Sequence, residues 1–368
     1  MPLRFPLLLE CLRPSPDAGR VAGLAVSTDW ERLVAFASGG GLLPMLHAQL
    51  SAVCPDAVPA AVQETLRAAF LRNTQRNLRL AGELLDVLDV LDRAGVRALP
   101  FKGPALAWSI YESPGMREFS DLDVLVRRED FGKAHGILAE RGYATRAGQI
   151  PAPFFDYNTE LPLRHPKTGI QIDLHWQPVA GLFGLVETEF FWSSLAPVQI
   201  AGRTVQTFSP ERTFLYLCLH GGGHGWRSLK WLSDLAHLAA SSPLDWQRIL
   251  ADAGSRRITR YALLGLALAE ELLGLECPAP ISVDGIRSRR VYSQARAHAL
   301  DGWPQEGRFR EMVFQWPLLE RAHDRFALLL AMFQPTPADL GAVKLPSSFA
   351  RLYYGVRAVR LARTCLPK

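Results

Sequence analysis

A chain of 368 residues and 40.8 kDa, 48% apolar and 21% charged, has the composition of a folded protein with room for two or three compact units, which excludes wholesale disorder. Apolar runs stay short of the roughly 18 residues that a membrane-spanning helix needs. The best candidate, near 262–275, is interrupted by Glu270 and Glu271. The net charge of +5 and a pI of about 9.0 allow a polyanionic ligand without requiring one.

Residues 1–95 read as an N-terminal helical region. Asp29-Trp30-Glu31 opens an amphipathic segment and Gly39-Gly40-Gly41 breaks it. From about Pro59 to Ala94, apolar residues recur at helical spacing almost without interruption, up to Gly95. Residues 96–207 then read as an α+β unit. A short strand over 96–101 meets a helix opened by Gly103-Pro104, and a Pro114-Gly115 turn leads to a strand at Asp121–Val126. A helix over Glu129–Glu140 ends at Gly142. Two strands, Leu161–Arg164 and Gly169–Trp176, flank the turn Pro166-Lys167-Thr168-Gly169 as a hairpin, and Arg203–Thr207 is a further short strand. Residues 208–368 read as a C-terminal helical domain. Ser209-Pro210-Glu211 is a helix start. Further helices are expected at about 228–240, 245–253, 256–274, 288–300, 318–333 and 347–363, with Gln334-Pro335-Thr336-Pro337 as a short connector.

Five cysteines, at 11, 54, 218, 277 and 365, lie far apart without a CxxC pair. That argues against a disulfide scaffold and for a reducing compartment. The apolar stretch in MPLRFPLLLE is too short for a secretion signal, so the expected location is cytoplasmic. Only 6 of the 41 basic residues are lysines, so a lysine in a suggestive place is informative.

The sharpest motif is Ser120-Asp121-Leu122-Asp123-Val124-Leu125-Val126. Alternate side chains of a strand share a face, so Asp121 and Asp123 point together while Leu122, Val124 and Val126 face a core. Two such carboxylates repel each other and are costly to desolvate. A hard divalent cation relieves both problems; the alternative is a solvated edge strand. In Ile170-Gln171-Ile172-Asp173-Leu174-His175-Trp176, residues 171, 173 and 175 share a polar face. If the two strands are neighbours, three aspartates converge, a set able to hold two Mg²⁺ ions for in-line attack at phosphorus. Upstream, Phe101-Lys102-Gly103-Pro104 places a strand end against a helix N-terminus. Free amides and the helix dipole favour an anion there, and Lys102 adds a point charge; an ordinary strand-to-helix turn would look the same.

This order of elements resembles the nucleotidyltransferase superfamily with the polymerase-β-like fold. The segments LPFKGPALA, GMREFSDLDVLV, IDLHW, HGGGHGWRSLKWLSDLA and LPSSFARLYYGVRAVRLAR are similar to a bacterial group of uncharacterised nucleotidyltransferases. The resemblance implies an α+β nucleotidyltransferase core with a small mixed sheet, flanked by helical regions. It implies Asp121, Asp123 and Asp173 as metal ligands and catalytic residues, with Asp173 also helping to deprotonate an acceptor hydroxyl. Lys102 and Gly103 would lie near the triphosphate. The Gly-Ser turn common in the superfamily is replaced here by Lys-Gly-Pro, which lacks the hydroxyl, and Pro104 donates no N–H.

Other signals are weaker. His220-Gly-Gly-Gly-His224 has the spacing of a zinc pair on a helix, but the glycines argue for a structural arrangement: a helix end at Leu219-His220, a glycine loop, then a helix from Ser228 burying Trp231, Leu232 and Leu235; alternatively the loop faces the cleft, and His224, Arg227 and Lys230 contact nucleotide or acceptor. Arg117 and Ser120 precede the Asp pair. Arg117 is expected to meet phosphate, to pair with Asp121, or to lie solvated. Tyr353, Tyr354, Arg357, Arg360 and Arg363 mark a basic amphipathic helix, read as a nucleic-acid or membrane surface or as a packed helix with a solvated basic face. The expected activity is Mg²⁺-dependent (or Mn²⁺-dependent) transfer of an NMP from an NTP such as ATP to a hydroxyl or phosphate acceptor. A protein, peptide or small molecule is favoured over nucleic acid as acceptor, and no membrane partner is expected. The alternatives are a non-catalytic nucleotide-binding module and a biosynthetic tailoring enzyme acting on a peptide or sugar phosphate.

Overall fold

The computed structural model describes residues 5–145, 158–179, 186–277, 280–301, 308–333, 335, 339, 342–343, 345 and 347–365. Four short helices come first: α1 (Pro6–Cys11), α2 (Ala18–Val26), α3 (Trp30–Gly39) and α4 (Leu43–Val53). Asp17 and Asp29 cap α2 and α3 by accepting from the Arg20 and Arg32 amides. Helix α5 (Ala60–Arg93) runs 34 residues. It ends where Gly95, at φ +71°, lets the Gly95 and Val96 amides turn back to the Asp92 and Leu91 carbonyls.

The sheet follows. Strand β1 (Ala98–Pro100) leads through α6 (Pro104–Tyr111) to β2 (Asp121–Val126) and α7 (Phe131–Glu140); β3 (Glu160–Arg164) and β4 (Gln171–His175) form the expected hairpin. The strand order is β1-β2-β4-β3, with β2 and β4 parallel and both outer pairs antiparallel. Leu122, Val124, Val126, Ile172 and Leu174 are buried with the second half of α5 and with α7 in one hydrophobic core. A five-residue helix, α8 (Thr188–Trp192), precedes a second sheet, β5 (Leu195–Ile200) paired with β6 (Arg203–Phe208). Strand β5 is not foreseen from the sequence. Its first half, Leu195-Ala196-Pro197, carries no apolar alternation, and only Val198 and Ile200 are buried. The Thr207 hydroxyl donates to the Pro100 carbonyl at 2.7 Å and ties the two sheets together.

The remaining helices are α9 (Pro210–Gly223), α10 (Leu229–Ser241), α11 (Trp246–Ser255), α12 (Thr259–Leu273), α13 (Asp284–Arg287), α14 (Arg290–Asp301), α15 (Arg308–Gln315), α16 (Ala322–Met332) and α17 (Tyr353–Cys365). Ser209 caps α9 with Pro210 at its first turn. The larger hydrophobic core joins residues of α1–α4 to α9–α16. Packing therefore groups the N-terminal helices with the C-terminal ones, while α5 spans both cores. The proline-rich connector at 334–337 lies, apart from Pro335, outside the described residues. Among the described residues no helix is long and apolar enough to cross a membrane.

The expected helix end at Leu219-His220 is corrected by the structure: α9 continues through His220-Gly221-Gly222-Gly223. The glycines serve packing. A Cβ on Gly221 would lie 2.6 Å from the Trp226 ring, and one on Gly222 2.5 Å from the Tyr261 ring. The two buried aromatics close on the helix backbone where no side chain intervenes.

Candidate active site

The parallel pairing of β2 and β4 sets Asp123 opposite Asp173 and Asp121 opposite Gln171. Asp123 is 5% exposed and Asp173 8%. Both open, with Asp121, into a cleft of about 400 Å³ whose far wall carries Tyr216, His220, His224 and Trp231. The strand alternation delivers the acids to one side because the intervening Leu122 and Ile172 are fully buried on the other.

Charge is distributed unevenly over this face. The Oδ1 atom of Asp123 accepts from Lys102 Nζ at 2.8 Å and lies 2.9 Å from His175 Nε2. Burial alone would raise the Asp123 carboxyl; Lys102 and His175 outweigh it and hold the group well below the usual carboxylate range. Burial likewise opposes the Lys102 charge, and Asp123 overcomes it, so the ammonium is held above its ordinary value. Among the described residues Asp173 accepts only from Gln171 Nε2, at 2.9 Å. Burial, then the negative charges of Asp123, Glu160 and Asp121, push its carboxyl up to about 7. Asp121 is raised by burial and by Asp123. Mutually destabilised hard oxygen donors suit a divalent cation in kind. Among the described residues, however, no group of three or more His, Cys, Asp or Glu side chains is disposed to hold one ion.

The Lys102-Gly103-Pro104 turn differs from the anion cradle expected from the sequence. Gly103 adopts φ +47°, and a Cβ there would meet the Asp121 carbonyl at 3.1 Å; the glycine is required by its conformation and by the approach of β2. Pro104 has no N–H, and the Ala105 amide donates to the Lys102 carbonyl at 2.9 Å. Lys102 itself points to Asp123.

A family model described as uncharacterised nucleotidyltransferase matches residues 26–274, more than half of the chain. The chain belongs to this uncharacterised nucleotidyltransferase family. A solved structure, an antigenic nucleotidyltransferase-like protein from Paracoccidioides brasiliensis, is similar at 16% identity and a TM-score of 0.30, over 54% of this chain and 94% of that one; a likeness of that size carries no further argument. No curated protein matches the chain.

In this nucleotidyltransferase the loop leading into β2 is held from two sides. Asn77 Nδ2 donates to the Pro114 and Arg117 carbonyls, and Asn73 Nδ2 to those of Gly115 and Arg117. Gly115 packs so closely on α5 that a Cβ would lie 2.4 Å from Phe70. From the other side, Arg117 Nε lies 3.0 Å from both oxygens of Asp234, which also accepts from the Tyr111 hydroxyl at 2.9 Å. This corrects two of the sequence expectations: Arg117 is 6% exposed rather than solvated, and its ion-pair partner is Asp234 rather than Asp121. Burying the guanidinium demands a bidentate carboxylate, and α10 supplies one. Lys230, one turn before Asp234, donates to the Glu118 carbonyl at 3.0 Å while lining the cleft. Burial lowers its pKa. Ser120 is exposed at the cleft rim.

His220 and His224 stand on the wall facing the aspartates, with ring centroids 4.9 Å apart. His220 is packed 4.7 Å from Trp231, and burial, reinforced by Lys102, drives its pKa well below the ordinary histidine value. His224 Nδ1 lies 2.9 Å from Glu311 Oε1, which also accepts from Arg227 at 3.2 Å. Gln315 Nε2 donates to the Gly223 carbonyl, and His298 Nδ1 lies 3.1 Å from the Gly225 carbonyl. The turn after α9 is thus tethered by helices α14 and α15, which lie beyond the family match.

His175, Glu160, Tyr216, Asp234, Asn73 and Asn77 received no role from the sequence. The signal for His175 was present, since it shares the polar face of β4 with Asp173. Its Nδ1 sits 3.2 Å from Glu160 Oε2, off the line of a hydrogen bond. For the two asparagines, polar residues on the apolar face of a long helix were the available sign.

Proposed function

We propose that the protein transfers a nucleoside monophosphate from an NTP to a hydroxyl or phosphate acceptor with release of pyrophosphate, using Mg²⁺ (or Mn²⁺) at the Asp121, Asp123 and Asp173 face. The carrying observation is the cross-strand register of Asp123 and Asp173, with Asp121 two residues before, in an open cleft. The acceptor oxygen forms a bond to the α-phosphorus, the bond from that phosphorus to the bridging oxygen breaks, and pyrophosphate leaves with the electron pair. Asp173, opposite Asp123 on β4, would take the acceptor proton. His224, Lys230 and Ser120 line the cleft where nucleotide or acceptor would lie, and Arg117 acts through Asp234 by fixing the loop into β2. The bound cation would supply charge stabilisation at the α-phosphate and leaving group. The chain is divided by sequence into regions 1–95, 96–207 and 208–368, of which 96–207 would supply the three acids. Four cysteines, 11, 54, 218 and 277, are free thiols, which supports a cytoplasmic setting, and a protein, peptide or small molecule is the favoured acceptor.

The test is nucleotide transfer with labelled NTPs and an acceptor screen, with Asp121→Asn as the inactive control, alongside thermal melting with and without millimolar Mg²⁺. Label transfer lost in Asp121→Asn, and a Mg²⁺-dependent rise in melting temperature, are expected. Unchanged transfer in the variant would remove the role of these carboxylates. The spent Ala105 amide and the missing hydroxyl at Lys102-Gly103-Pro104 favour a second reading, a regulatory nucleotide-binding module. NTP binding without pyrophosphate release across the screen would select it. A biosynthetic tailoring role on a peptide or sugar phosphate is the form the first reading takes if such an acceptor is labelled.

A further inference from the structure

Three aspartates converging on a cleft suggest a pair of divalent ions, but the third acid is already satisfied from within the chain. Lys102 Nζ sits 2.8 Å from Asp123 Oδ1, with side-chain exposures of 20% and 5%. The same oxygen is engaged by His175 Nε2 at 2.9 Å. Neither contact is a chance excursion of a surface side chain. Lys102 leaves a turn whose backbone is set by Gly103 at φ +47° against the Asp121 carbonyl, and its ammonium lies over the Phe101 and Tyr216 rings, 5.3 and 5.9 Å from their centroids. His175 is 1% exposed and packs edge-on against Phe101. Asp121 and Asp173, by contrast, have no Lys or Arg within ion-pair distance among the described residues; Asp173 accepts only the neutral Gln171 amide.

We infer that Lys102 is a chain-borne cation standing in for one of the two divalent ions, so that the site takes a single divalent ion, served by Asp121 and Asp173, and Lys102 is not a triphosphate ligand. The inference rests on the proposed cation-dependent reading of this cleft. Asp123 is ion-paired with Lys102 and engaged by His175, which leaves Asp121 and Asp173 as the strand acids open to an ion.

The experiment is a titration of Mn²⁺ alone into the full-length protein, with free Mn²⁺ followed by electron paramagnetic resonance, for the wild type, Lys102→Met and Lys102→Arg. One ion per chain is expected in the wild type and in Lys102→Arg, and two in Lys102→Met, where the Asp123 carboxylate loses its cationic partner and keeps only His175. Lys102→Gln is the second neutral variant if Lys102→Met fails to melt cooperatively, and the same two ions are expected for it. Two ions in the wild type, or one ion in both neutral variants, overturns the inference and leaves the transferase reading standing. No ion in the wild type overturns both.

Discussion

Asp123 and Asp173 face each other across adjacent parallel strands, and among the described residues only Asp123 carries an ion pair. The two acids of the β2 motif therefore differ in what they do for the fold. Asp123→Asn strips Lys102 and His175 of their buried partner and is expected to cost about 3 kcal/mol or more. Asp121→Asn removes a half-buried carboxylate that is raised by its neighbour and is expected to leave stability unchanged or slightly improved. Urea melts of the two variants measure the difference, and equal losses would contradict the assigned pairing.

Arg117 and Asp234 are 117 residues apart in sequence and form a bidentate pair with almost no exposure. Arg117→Ala is expected to lose about 3–5 kcal/mol by leaving Asp234 buried and unpaired. Arg117→Lys should recover only part of this, because an ammonium cannot reproduce the planar fork. Full recovery by lysine, read from thermal melting, would show that charge alone matters at this position.

The glycines of α9 separate packing from helix propensity. Gly221→Ala drives a methyl into the Trp226 ring and is expected to cost about 1–3 kcal/mol or more. Gly223 has open space at its Cβ position, so Gly223→Ala should be neutral or stabilising by up to about 1 kcal/mol. Comparable destabilisation by both would mean that backbone freedom, rather than the ring contact, requires the glycines.

His220 is held neutral by burial, with Lys102, His224, Asp123 and Arg117 as the charged and titratable groups around it. Its folded pKa lies below the unfolded value near 6.5, so the native state binds fewer protons. The resulting stability is present above about pH 6.5 and is lost as pH falls below that value. His220→Phe keeps a ring between Tyr216 and Trp231 and removes the titration. The melting temperature of the wild type should therefore fall relative to the variant between pH 7 and pH 5. Parallel curves for the two proteins would place the acid sensitivity elsewhere.

Where a residue's surroundings are local, the sequence announced them. The alternation in β2 and β4, the Gly95 stop of α5 and the Ser209-Pro210 start of α9 were all legible, because strand faces and helix caps depend on neighbours a few positions away. The register that brings Asp123 to Asp173 was not, since it depends on which strands pair and in what direction. The Arg117–Asp234 pair and the Asn73 and Asn77 contacts were hidden for the same reason. The glycine triplet misled because glycine weakens an isolated helix yet permits one that is crowded by Trp226 and Tyr261.

Glu311, Gln315 and His298 grip the turn that carries His224 and Arg227, and all three come from chain that follows the family match. One rim of the cleft is thus braced by helices that lie outside the matched residues. Relatives that end soon after α12, or that continue with a different segment, would have a differently fenced doorway around the same acids, and trimming this protein to its matched portion would discard part of its own gate.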